Sequence, residues 1–174
     1  LKPTNCTEGK EMCNELTIRN KTKKLKINLR LFKELLLCAL DELKEQSYII
    51  NIILVNSKEI EKLNNQYLNH IGVTDVISFE YSKYEENHNG LDNETENPEI
   101  WGDVVICPEV AIQNAAKFKT TVSKEIIRYA IHGILHLKGY NDETPEEQKL
   151  MRKMENTTIT HLKRKYNIEE LLIA

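Results

Sequence analysis

The chain has 174 residues, of which 40% are hydrophobic and 29% charged, and carries a net charge of −3. That is enough to bury one substantial core, and the balance is that of a globular domain, not a disordered or fibrous one. No apolar run is long enough to span a bilayer, and the opening L-K-P-T-N-C-T-E-G-K is not a secretory signal, so a cytoplasmic protein without a membrane partner is expected.

Residues 1–14 are polar and irregular and are expected to form a flexible N-terminal segment, ahead of one domain over 15–166. Glu15–Asn20 alternates and predicts an edge strand. Asn28 is placed to cap a helix whose apolar face is Leu29, Phe32, Leu36, Leu40 and Leu43. Tyr48–Val55 is β-branched and nearly continuous, the pattern of a central strand. Ser57 then predicts a cap for a short helix to about Tyr67.

Thr74–Tyr81 (T-D-V-I-S-F-E-Y) is the next predicted strand, with Val76 and Ser78 on one face and Ile77 and Phe79 on the other. Residues 82–100 are acidic and Asn-rich and predict a long loop insertion. Residues 80–99 hold seven acids and one lysine, net −6, which leaves +3 for the rest of the chain. Trp101–Cys107 predicts a strand, and Pro108 opens a helix to about Phe118.

A helix over roughly 122–138 follows. Val122, Ile126, Ile127, Ala130, Ile131 and Ile134 form its buried stripe, and Glu125, Arg128, His132 and His136 lie on the other side. Thr144-Pro145-Glu146-Glu147 combines a capping box with proline at the first helical position. The inner face of that last helix is expected to include Leu150, Met151, Met154, Thr158 and Leu162. The tail 167–174 is expected to fray. The fold class is α+β (mixed α/β), a sheet of about four strands packed with helices, with the motif helix lying on it.

Four cysteines, Cys6, Cys13, Cys38 and Cys107, make no C-x-x-C pair, and Cys38 and Cys107 read as small buried hydrophobes of a reduced protein. The N-E-T at Asn93 matches a glycosylation acceptor, which means nothing without a secretory context. His70, His88 and His161 read as surface or structural.

The chemistry concentrates in Ala130–Asp142, A-I-H-G-I-L-H-L-K-G-Y-N-D. His132 and His136 are one helical turn apart on one face. Gly139 is placed to stop the helix in the left-handed region, so that the returning chain brings Asp142 to the imidazoles. Two imidazoles and a carboxylate make a three-ligand catalytic metal site for one divalent ion, zinc being the expected one. A lone i, i+4 histidine pair is as often a polar helix face; the glycine stop and the acid after it favour the metal site. The residue after the first histidine, where zinc peptidases of the H-E-x-x-H type carry their base, is Gly133, which disfavours peptide hydrolysis.

H-G-I-L-H-L-K-G-Y resembles the signature of the YbeY-type endoribonucleases, bacterial rRNA maturation factors. T-D-V-I-S-F at 74–79 and G-D-V-V-I at 102–106 are similar to that family's strand motifs, and the resemblance covers about residues 15–165. It implies a metal-dependent, single-strand-directed endoribonuclease acting in 16S rRNA 3′-end maturation and ribosome quality control, with rRNA and the small ribosomal subunit as partners. By position, His132 and His136 are the first two ligands. Asp142 stands where the family usually has a third histidine. Leu68 stands where it commonly has an arginine able to stabilise phosphoryl charge, and the acidic loop is longer than the family leads one to expect.

Arg128, Asp75 and Asp103 are the catalytic candidates beyond the ligands, the two aspartates being equally readable as turn caps. Lys124, Arg128, Thr74 and Ser78 are the RNA-binding candidates, Thr74 and Ser78 being equally readable as packing or backbone-bonding residues. The alternatives are an RNA- or ribosome-binding assembly factor with a structural metal, and a metalloprotease.

Overall fold

A computed structural model describes residues 14–81 and 98–173. Cys6, Cys13, His88, Asn93 and most of the acidic insertion lie outside the described residues. Strands β1 (Asn14–Asn20), β2 (Tyr48–Leu54), β3 (Val76–Glu80) and β4 (Ile100–Ile106) form one sheet in the order β1-β2-β4-β3. β1, β2 and β4 run parallel, and β3 pairs antiparallel with β4 at the edge. The strand patterns follow from this order. β1, at an edge, alternates loosely, whereas β2, between two strands, reads as a nearly unbroken apolar run.

Helices α1 (Leu29–Glu42), α4 (Val122–Leu137) and α5 (Pro145–Lys165) share the larger core with one sheet face. α2 (Ser57–Leu68) and the start of α3 (Pro108–Phe118) share a smaller core with the other, built on Val55, Ile60, Ile77, Val105 and Cys107. Val76 faces the first core and Ile77 and Phe79 the second, as the alternation of β3 requires.

α4 lies between the sheet, α3 and α5. Ile126, Ile127, Ala130, Ile131 and Ile134 are fully buried, and each large side chain among them contributes roughly 1.5–3 kcal/mol by leaving water. Burial extends further round the helix than one stripe. Glu125, Tyr129, Gly133, Leu135 and Leu137 are buried too, so Glu125 does not face outward as its position suggested. Along α4 from Lys124 to His136, the partly exposed residues are Lys124, Arg128, His132 and His136, each four after the last. That single row is what the helix offers to a cleft.

Other local expectations shift by small amounts. The side chain of Asn56, not Ser57, caps α2 by accepting from Glu59 N–H, because Ser57 is already the first residue of the helix; the Ser57 hydroxyl donates to Glu109. Leu150 is exposed, whereas Met151, Glu155, Thr158, Ile159 and Leu162 are the buried face of α5. Cys38 is half-buried and Cys107 buried. His70 is exposed, and His161 Nδ1 sits 3.1 Å from Glu42 Oε2, both consistent with surface or structural roles.

The tail does not fray. Ile168–Leu171 forms a 3-10 helix that buries Ile168 and Leu171. Asn28 N–H donates to Leu171 C=O at 2.8 Å and Ile173 N–H to Lys26 C=O at 2.9 Å, tying it to the start of α1.

Candidate metal centre

The centre is built by the two ends of one turn. At the C-terminus of α4, Gly139 takes φ +92°, where it has no Cβ to strain. Gly139 N–H donates to His136 C=O at 2.8 Å and Tyr140 N–H to Leu135 C=O at 3.0 Å, a Schellman closure that satisfies carbonyls otherwise left orphaned. Five residues after Gly139, Thr144 caps α5 in the expected capping box with Glu147. The Gln148 side chain donates to Asp142 C=O at 3.0 Å and pins the connecting segment. Between these two fixed points Asp142 is turned back onto the histidines.

His132 Nε2 and His136 Nε2 are 2.9 Å apart, and Asp142 Oδ2 is 3.7 Å from the first and 3.8 Å from the second. The rings meet edge to face, 81° apart in plane. Donor atoms around a tetrahedral zinc with bonds of about 2.0–2.1 Å stand about 3.3–3.4 Å from one another, so this triangle fits a small divalent ion. Two imidazole nitrogens at 2.9 Å also need something positive between them, a proton or a cation, since their lone pairs would otherwise repel. The three side chains are 23%, 30% and 43% exposed, partly open to an incoming ligand. Among the described residues, these three form the group able to hold a metal ion.

Electrostatics sets the two histidines apart. Burial pulls His132 down, but the Glu155 hydrogen bond and the charges of Glu155, Asp142 and Asp75 outweigh it and raise its pKa. His136 is lowered, by burial first and then by repulsion from His132. Glu155 sits behind His132 with its Oε1 2.8 Å from His132 Nδ1, and its Oε2 accepts from the Arg128 guanidinium at 2.8 Å. Burial pushes the Glu155 carboxyl up, yet these two partners more than compensate and lower it.

A cleft of about 600 Å³ opens beside His132 and Asp142. Lys124, Arg128, Asp75 and Tyr129 line it, as do Arg152 and Asn114. Burial pushes the Tyr129 phenol up to about 12, so it stays neutral, and Asn114 Nδ2 donates to its oxygen at 2.8 Å. A second hollow on the other side of the histidines is lined by Leu68, Val76, Ser78 and Leu137.

The candidates taken from the sequence divide accordingly. His132, His136 and Asp142 come together; Lys124, Arg128 and Asp75 share their cleft. The Ser78 hydroxyl lies beside the histidines but donates to Gly133 C=O at 3.1 Å, and Thr74 donates to Asp75 Oδ1 at 3.2 Å. Asp103 is not in the cleft. It lies within β4, next to Gly102 and Val104, which face α4, so it points to the opposite face of the sheet. There it accepts from Asn51 Nδ2 at 2.7 Å and Tyr81 Oη at 2.8 Å. Sequence reasoning missed Glu155, Arg152, Tyr129 and Asn114. Of these only Glu155 left a signal, a lone carboxylate at a position of α5 that spacing assigns to the buried face.

Residues 17–163 match the family described as Endoribonuclease YbeY. The chain belongs to that family. Curated YbeY relatives include the endoribonuclease of Elusimicrobium minutum, 40% identical over 121 residues, which span 70% of this chain and 79% of the relative. That of Syntrophus aciditrophicus is 36% identical over 148 residues, 83% of this chain and 87% of the relative. The solution structure of TM1509 from Thermotoga maritima superposes with a TM-score of 0.59 at 26% identity, covering 88% of this chain and 95% of that one. The described residues, a mixed four-stranded sheet with five α-helices, thus have the fold of a solved structure, and the expected YbeY resemblance is shown over nearly the span read from its motifs.

Proposed function

We propose that this chain is a metal-dependent endoribonuclease directed at single-stranded RNA, acting in 16S rRNA 3′-end maturation and ribosome quality control. The observation that carries it is the donor set of His132, His136 and Asp142, opening onto a cleft that holds Lys124 and Arg152, in a chain of the YbeY family. Precursor rRNA on the small ribosomal subunit is the partner this reading requires, and the cytoplasm its place of work.

His132, His136 and Asp142 would hold one divalent ion, zinc suiting the two imidazoles. When bound, such an ion supplies Lewis acidity and brings the pKa of water toward neutrality. The protein's own groups do the rest. Lys124 and Arg152 stand in the cleft to bind phosphate oxygens. The Asp75 carboxylate is held through Oδ1 by Val76 N–H at 2.9 Å and by the Thr74 hydroxyl, and serves as the acceptor for the proton of the attacking water. Neutral Tyr129 orients substrate by hydrogen bonding.

Gly133 argues against a peptidase on structural grounds as well as chemical ones. It faces the sheet, so no side chain at that position would reach the donors.

Leu68 in the hollow beside the histidines favours a second reading, an RNA-binding assembly factor whose metal is structural. Single-turnover cleavage of an rRNA precursor, with and without chelator, separates the two. Cleavage lost on chelation and restored by zinc supports the nuclease. Binding without cleavage, together with unfolding on chelation, supports the assembly factor and overturns the nuclease.

A further inference from the structure

We propose that Glu155 and Arg128 are a positioning pair for His132, fixing the ring proton on Nδ1 so that Nε2 is left to bind the cation. This rests on the metal-centre reading above and adds to it a support that reaches from α5 into α4.

The geometry assigns one task to each oxygen of Glu155. Oε1 is 2.8 Å from His132 Nδ1, and Oε2 accepts from Arg128 Nη1 at 2.8 Å. The side chain is only 7% exposed. A carboxylate so buried is costly unless paired, and replacing such a pair with apolar residues is often neutral or stabilising. Apolar residues already occupy the neighbouring buried positions, Met151, Ile159 and Leu162. Stability therefore does not account for an acid at 155, whereas its contact with His132 does.

Arg128 is held by more than that contact. Its Nη1 also donates to Asn156 Oδ1 at 3.1 Å, and its Nε is 4.0 Å from Glu125 Oε2. The guanidinium is thus engaged by buried carboxylates, which holds Glu155 aimed at the imidazole. This is a different role from direct phosphate binding.

The consequence for His132 is specific. A free neutral imidazole favours its proton on Nε2, the nitrogen that faces His136 and Asp142 here. An anionic acceptor at Nδ1 reverses that preference and makes Nε2 more basic. His136 has a backbone hydrogen bond at Tyr140 instead, so the two ligands are oriented by different means. Loss of such a supporting carboxylate elsewhere lowers metal affinity about 10–100-fold.

The test uses the full chain, zinc and a competing chromophoric chelator, with ¹⁵N spectra of the histidine rings of the metal-free protein. In the parent, His132 is expected with its proton on Nδ1. Glu155→Ala is expected to lose about 10–100-fold in zinc affinity and to move that proton to Nε2. Glu155→Gln, whose amide oxygen still accepts from Nδ1–H, should keep the tautomer and lose less affinity. If Glu155→Ala does not fold, Arg128→Met with Glu155→Leu carries the test, since it removes the pair without leaving a buried charge. Variants that bind zinc like the parent, or that keep the parent tautomer in Glu155→Ala, overturn the inference alone. A parent that takes up no divalent ion overturns the metal centre, and the inference with it.

Discussion

Gly133 lies so close to Val104 that a Cβ added to it would stand 2.3 Å from the valine Cγ1 and 3.0 Å from Ser78 Oγ. The helix that carries the two histidines is therefore seated on β4 through a position with no side chain. Glycine within a helix normally costs about 0.5–1 kcal/mol relative to alanine, whereas forcing a methyl into a packed core costs roughly 1–3 kcal/mol. The second effect should win. Gly133→Ala is expected to destabilise the fold by roughly 1–2 kcal/mol net, lowering the melting temperature by about 2–4 °C per kcal/mol. Adding Val104→Ala should recover part of the loss, read by thermal unfolding. A variant more stable than the parent would show that α4 can lift off the sheet.

Leu68 ends α2, is 44% exposed, and lines the hollow beside His132 and His136. It occupies the place where the YbeY resemblance leads one to expect an arginine. A guanidinium there would reach phosphate oxygens next to the donor set and favour transition-state charge. Leu68→Arg is expected to raise single-turnover cleavage of a single-stranded rRNA fragment, with stability changing by no more than about 0.5 kcal/mol at this surface position. Unchanged cleavage would mean that Lys124 and Arg152 already serve the scissile phosphate.

Much of this arrangement could be read from residue order because it is local. The Asn28 and Thr144 caps, the Gly139 stop and the i, i+4 histidines each depend on neighbours within a turn or two. What could not be read depends on packing between distant segments. Glu125 is buried because α3 and α5 cover the side of α4 that the sheet leaves free, and a periodic stripe shows only one such cover. Asp103 lies inside β4, as the predicted strand allows, but its parity sends it to the far face of the sheet, and only the packing of α4 on Gly102 and Val104 shows which face that is. Glu155 is on another helix, 23 residues after His132, and only the packing of α5 on α4 brings the two together.

On the proposed function, charge in the cleft is expected to make RNA binding depend on the ion. Its lining holds three cations, Lys124, Arg128 and Arg152, against four carboxylates, Asp75, Glu125, Asp142 and Glu155. Arg128 and Glu155 cancel at 2.8 Å, which leaves an acidic excess that one divalent ion would reverse. Chelation is expected to weaken binding of single-stranded RNA itself, measured by fluorescence anisotropy across salt concentrations. Lys124→Glu and Arg152→Glu should weaken it further and flatten the salt slope by roughly 0.7 for each phosphate no longer neutralised. Equal affinity with and without the ion would place the RNA path elsewhere on the surface.

Asp142 is expected to act as the third ligand, and the geometry distinguishes this from a supporting role. A carboxylate that merely orients a ligating histidine accepts from the ring nitrogen that does not touch the metal. For His132 that nitrogen is Nδ1, and Glu155 already occupies it. Asp142 Oδ2 instead approaches Nε2 of both rings, at 3.7 and 3.8 Å, the side on which the donors converge. Its own backbone is held by Gln148, and Thr144 rather than Asp142 caps α5, so helix capping does not explain the side chain. Asp142→Asn replaces an anionic oxygen by a neutral amide and should lower zinc affinity by more than the about 10–100-fold expected when a supporting partner is removed. Asp142→His should restore binding and favour zinc over harder ions such as magnesium, because a third imidazole softens the donor set. Competition titrations of the parent and both variants against a chelator decide it. A loss in Asp142→Asn no larger than that in Glu155→Ala would make Asp142 a supporting residue and leave the ion with two protein ligands.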